Sequence, residues 1–149
     1  MASRAPMDVL REKAKEKLDD ATHHLGKTRQ ICEKAQAQLR QLENYQQEYQ
    51  QQFAARAKES GLPISQMMSY QLFIESLGRA VTQYSSHVAL CENSVTQAVK
   101  EWKHDHLRLN AFTTLKTRAV AIARIKESRH EQKMMDEFAS QILLRKTFI

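Results

Sequence analysis

The chain has 149 residues, of which 27% are charged, 42% hydrophobic and only 7% aromatic, and its formal net charge is +6. Three glycines and two prolines leave few places to turn, so the elements must be few and long, which is the composition of long helices rather than of a domain with a large core. Two cysteines, Cys32 and Cys91, are too few and too far apart for a disulfide framework or a zinc knuckle.

The N-terminal stretch Met1-Ala2-Ser3-Arg4-Ala5-Pro6 is not followed by an apolar run, and the longest apolar-rich stretch, Ala119 to Ile125, is broken by Arg124. No export signal, no membrane span and no direct membrane insertion are expected, with the cytoplasm as the default compartment. Charge is uneven along the chain. Residues 1–60 carry 11 basic and 9 acidic side chains, residues 61–110 carry 4 and 4, and residues 111–149 carry 8 and 4. A basic C-terminal third can attract nucleic acid, anionic lipid or an acidic protein surface, or can simply be a solvated helix face.

The first element is a helix over about 7–58. Met7, Arg11, Ala14, Leu18, Ala21, Leu25, Thr28, Cys32, Ala35, Leu39, Leu42, Gln46, Tyr49 and Phe53 alternate in steps of four and three, and eleven of these fourteen are apolar. A hinge over about 59–65 follows at Ser60-Gly61-Leu62-Pro63, because Gly can take the left-handed conformation that ends a helix and Pro cannot sit in a helix interior. The second helix, over about 66–144, repeats the pattern through Met67, Tyr70, Ile74, Leu77, Val81, Tyr84, Val88, Cys91, Val95, Ala98, Trp102, Asp105, Leu109 and Phe112, with Asp105 the one polar member.

A 3.5-residue apolar period held this long predicts an all-α fold in which two long helices form an antiparallel, left-handed coiled-coil hairpin, residues 1–149 making a single coiled-coil domain. Layers mirrored about the hinge set Phe53 against Tyr70, Leu39 against Tyr84, Ala21 against Trp102 and Cys32 against Cys91. The two thiols are expected to be reduced core residues in the working state, and a mild oxidant is expected to link them within one chain. Met7 falls opposite Lys116, so the second helix outruns the first, and residues 117–149 overhang.

The heptad phase slips in that overhang, where the apolar positions are Leu115, Ile122 and Ile125, then Met135, Phe138 and Ile142. Only the first six residues of the chain could cover this stripe, so it predicts a partner or else a frayed tail. A second surface is expected near the hinge. Gln38, Tyr45, Phe73 and Ala80 flank the seam along one edge, where Tyr45 and Phe73 should form an aromatic ridge, and Met68 and Leu72 point further outward. Flanking positions are usually charged, so large apolar groups there suggest binding, the alternative being a widened core.

Signs of catalysis and metal binding are absent. There is no glycine-rich phosphate loop, Met134 stands where a metalloprotease helix beginning His130-Glu131 needs its second His, and His104 and His106 diverge on a helix. His87 and Cys91 are one turn apart, but the sulfur faces the seam. The reading is a non-catalytic protein without cofactor or metal. A nucleic-acid-binding coil would show aromatics interleaved with its basic residues, and none are interleaved here. A general helical-hairpin chaperone or tethering protein would share every structural feature and differ in its clients.

The segments Asn44-Tyr45-Gln46-Gln47-Glu48-Tyr49, Ser69-Tyr70-Gln71-Leu72-Phe73-Ile74-Glu75-Ser76-Leu77, Glu101-Trp102 and Gln132-Lys133-Met134-Met135-Asp136-Glu137-Phe138-Ala139, in that order and spacing, resemble the flagellar export protein FliJ family over nearly the whole chain. The resemblance implies a soluble component of the flagellar type III secretion apparatus, peripheral to the inner membrane at the flagellar base, with a coiled coil similar to the central stalk of rotary ATPases. It implies that the termini enter and activate the hexameric export ATPase, that another face meets the cytoplasmic part of the export gate, and that export chaperones are handled.

The gate-contacting positions of the family match Gln38, Leu42, Tyr45, Tyr49, Phe73, Leu77 and Ala80, while Tyr84 stands where a His is expected. For the ATPase, the basic overhang offers Arg118, Arg124, Arg129, Lys133, Met135 and Phe138.

Overall fold

The computed structural model describes residues 5–59 and 61–147; Ser60 of the expected hinge, Met1 to Arg4 and the last two residues of the overhang lie outside them. Helix α1 spans Pro6–Glu59 and helix α2 spans Ile64–Thr147. They pack against each other, the second is the longer, and there are no strands among the described residues. Both ends at the turn follow from local chemistry. Gly61, just past α1, takes φ +60°, the left-handed conformation that costs glycine nothing. The carbonyl of Pro63 accepts the amides of Gln66 and Met67 at 3.0 Å each, so Pro63 caps α2, which lacks partners for its first amides.

The helices are therefore longer at the hinge than the spacing predicts, and the turn shorter than 59–65. A helix runs until a cap or a breaker ends it, and here Gly61 and Pro63 do so. At the other end of α1, Pro6 occupies the first helical position, where its missing N–H is no loss, and the carbonyl of Ala5 accepts the amides of Asp8 and Val9 at 2.9 and 3.4 Å.

Contacts divide the chain into two units. In the Asp19–His104 unit, α1 and α2 run antiparallel in the expected register. Phe53 meets Tyr70 with ring centroids 5.7 Å apart, the Trp102 indole N–H donates to Thr22 Oγ1 at 2.9 Å, and Gln36 donates to Glu92 at 3.1 Å. The deepest positions, Ala98 at 1% exposed and Ala35 at 3%, are small, and Val88 and Cys32 are also buried. Small residues at the seam let the two backbones approach and leave room for Trp102 and the tyrosines.

The other unit joins α1 up to Leu18 with α2 from Asp105 onward. Among the polar links that hold its register are Lys17 to Asp105 at 3.7 Å, Arg11 Nε donating to Thr113 Oγ1 at 3.2 Å, and Lys116 to Asp8 at 2.7 Å. Asp105 is the buried carboxylate, with Ala14 buried beside this seam. A charge at an otherwise apolar seam position adds little stability but penalises slipped alignments, in which it would be stranded. All twenty-eight positions of the two apolar series are buried or half-buried.

Candidate functional site

Among the described residues no group of three or more His, Cys, Asp or Glu side chains could hold a metal ion, and no helix is long and apolar enough to cross a membrane. What both units do offer is apolar surface without cover.

In the Asp19–His104 unit this surface lies at the hinge end. Tyr49, half-buried, presents its ring edge-on to Phe73 at 4.7 Å between centroids, and Phe73 remains 46% exposed. Tyr45, one turn before Tyr49, is 54% exposed. The ring that Phe73 meets is thus Tyr49 of the seam, not Tyr45, because an edge position on α2 leans over the seam residue of the facing helix. Gln38 is exposed and accepts a hydrogen bond from the Tyr84 hydroxyl, while the half-buried Tyr84 ring lies 5.4 Å from His87. Leu42, Leu77 and Ala80 are half-buried.

Three features here went unseen in the sequence. Arg56 donates to the Tyr70 hydroxyl at 2.5 Å with its guanidinium 5.7 Å from the ring centroid. Tyr49, Ser69, Tyr70 and Phe73 line an open groove of about 280 Å³. Ile64 is exposed in line with Met68 and Leu72, at four-residue steps along one face of α2. A hinge drawn to residue 65 hid Ile64 inside a supposed turn; the other two are side-chain meetings that a heptad lettering cannot specify.

In the other unit, every described residue from Thr117 to Thr147 is exposed. Arg118, Arg124, Arg129 and Lys133 are among its basic residues, and Met135 and Phe138 are exposed, as are Ile122, Ile125, Ile142, Leu143 and Leu144. Where α1 begins, Arg11, Thr113, Lys116, Thr117, Val120, Ala121 and Arg124 line an open groove of about 430 Å³. All six residues singled out for an ATPase therefore lie on uncovered helix surface, whereas the eight singled out for an export gate divide between exposed Gln38, Tyr45 and Phe73 and the half-buried rest.

The flagellar FliJ protein family matches this sequence over residues 3–147. The chain belongs to the FliJ family. It is similar to the flagellar FliJ protein of Salmonella typhi, with 34% identity over 146 residues that cover 98% of this chain and 99% of that one, and to the flagellar FliJ protein of Escherichia coli K12, with 33% identity over the same extent. Membership of the FliJ family makes the chain a component of flagellar protein export and not an enzyme.

Proposed function

We propose that this chain is the stalk and adaptor of the flagellar type III export apparatus. Its C-terminal overhang binds and activates the hexameric export ATPase. The edge near the hinge contacts the cytoplasmic part of the export gate, export chaperones are handled along the same body, and the chain works in the cytoplasm, peripheral to the inner membrane at the flagellar base.

The observation that carries this reading is the run of exposed residues from Thr117 to Thr147, an apolar stripe set in a basic helix that no described residue covers. Exposed apolar surface of that extent is costly in water and is relieved when a partner covers it. Arg118, Arg124, Arg129 and Lys133 favour an acidic partner and speed its approach without fixing one geometry, which suits a shaft touching several subunits in turn. At the hinge end, Tyr45 and Phe73 are the kind of exposed aromatic anchor that carries most of the free energy in protein contacts. Leu42, Tyr49, Leu77 and Tyr84 also hold the seam, so changing them weakens the fold along with any contact.

The two roles separate by mutation. The chain carrying both Tyr45→Ala and Phe73→Ala should lose binding to the cytoplasmic part of the export gate and keep its stimulation of ATP hydrolysis. Equal loss of both, with circular dichroism unchanged, would mean a single shared surface and overturn the two-surface reading.

A further inference from the structure

Neither proposed surface uses the two thiols, yet their placement is unusual. Cys32 on α1 is buried in the seam of the Asp19–His104 unit, and Cys91 on α2, half-buried, is its counterpart in the register that Phe53–Tyr70 and Trp102–Thr22 establish on either side. Both are free thiols. The Cys91 sulfur lies 3.7 Å from His87 Nε2, one helical turn earlier. It also reaches solvent, because it lines a groove of about 360 Å³ with His24, Thr28, Ile31, Ser94 and Ala98. Thr28 and Ile31 of α1, which line the same groove, lie within four residues of Cys32.

We propose that Cys91 is a peroxide-reactive thiol and that Cys32 resolves its oxidised form into an intrachain disulfide across the seam. His87 as the neutral ring takes the Cys91 proton, and the thiolate sulfur attacks one peroxide oxygen. The O–O bond breaks, Cys91 becomes a sulfenic acid, and the departing hydroxide takes the proton back from His87 as water. The Cys32 sulfur then attacks the sulfenic sulfur, the S–O bond breaks, and hydroxide leaves with the Cys32 proton as a second water. Two thiols and one hydrogen peroxide thus give one disulfide and two waters.

The division of labour follows from the surroundings. Burial, and then the nearby charges of Glu92, Cys91 and Glu33, push the Cys32 thiol up from its ordinary value, so at neutral pH it stays protonated and is the slower of the two to meet an oxidant. Cys91 has the proton acceptor and the opening. The resulting bond joins the two helices across the seam, closes a long loop and removes freedom from the unfolded chain, so oxidation should raise the melting temperature of this unit. It would add a covalent link across the seam without touching the exposed stretch Thr117–Thr147.

The test is hydrogen peroxide added to the full-length chain, read by free-thiol titration, non-reducing peptide mass mapping and circular dichroism. The expected product is a monomer lighter by two hydrogens, with Cys32 and Cys91 joined and a higher melting temperature, restored by a dithiol reductant. C32S should stop at a dimedone-trappable sulfenic acid on Cys91, C91S should leave Cys32 unreacted on that timescale, and H87Q should slow the first step severalfold with helicity unchanged. Disulfide dimers between chains, first oxidation at Cys32, or survival of both thiols under peroxide that oxidises a free cysteine control would each overturn the proposal.

Discussion

Helix α2 is treated in two ways along its length. From Met67 to Phe112 each position of the four-three series is buried or half-buried against α1, whereas from Thr117 to Thr147 every residue is exposed, although apolar residues continue. The helix-forming character of the two stretches is similar; what differs is the presence of a facing helix, which begins at Pro6 and has its last links at Asp8 and Arg11. The paired stretch buries its apolar groups against α1, and the unpaired stretch leaves its own exposed.

The sharpest way to break this contrast is to place a charge in each stretch. Val88→Asp puts a carboxylate at a buried seam position and should destabilise the chain by about 3 kcal/mol in urea unfolding. Ile125→Asp, at a site 52% exposed, should move it by no more than about 0.5 kcal/mol. Equal effects would mean that the Thr117–Thr147 stretch is packed in solution.

A smaller effect probes one paired layer. Trp102→Ala removes a half-buried indole and its bond to Thr22 and should cost about 2 kcal/mol, while Trp102→Phe, keeping most of the apolar contact, should cost about 1 kcal/mol. Asp105→Leu goes the other way. Replacing the buried carboxylate with an apolar group should leave the unfolding midpoint equal or higher, and the loss should appear as mixed helix register in cross-linking. A fall of several kcal/mol would show that Asp105 stabilises rather than specifies.

The smallest effect is in pH. Because burial raises the Cys32 thiol above its ordinary value of 9.0, the folded chain holds that proton more tightly than the unfolded chain. Its contribution is complete below pH 9.0 and is lost as pH rises through the higher folded value, so stability should fall as the buffer is taken above pH 9.0. Cys32→Ser should flatten that part of the pH profile, measured by thermal unfolding.

Much of this was legible from spacing alone. The seam positions, the antiparallel pairing and the turn at Gly61 follow from a strict apolar period and one breaker, because burial of a stripe against a stripe is decided by residue type and interval. The exposure of Met135 and Phe138 was readable too, since it required only that the helices differ in length. Meetings that depend on rotamers were not: Tyr49 with Phe73, Arg56 over Tyr70, and the Cys91 sulfur beside His87 follow from side-chain direction, which letters in a heptad do not encode. Nor could the period find the helix ends, which Pro63 and Gly61 set by capping.

The most direct test of the stalk assignment is ATP hydrolysis and ring assembly by the flagellar export ATPase, measured with the full chain, with the chain truncated after Lys116, and without either. Stimulation and assembly by the full chain only, the truncated form remaining helical, is the predicted result. Stimulation equal in the truncated form, or absent with the full folded chain and an active ATPase, would contradict it.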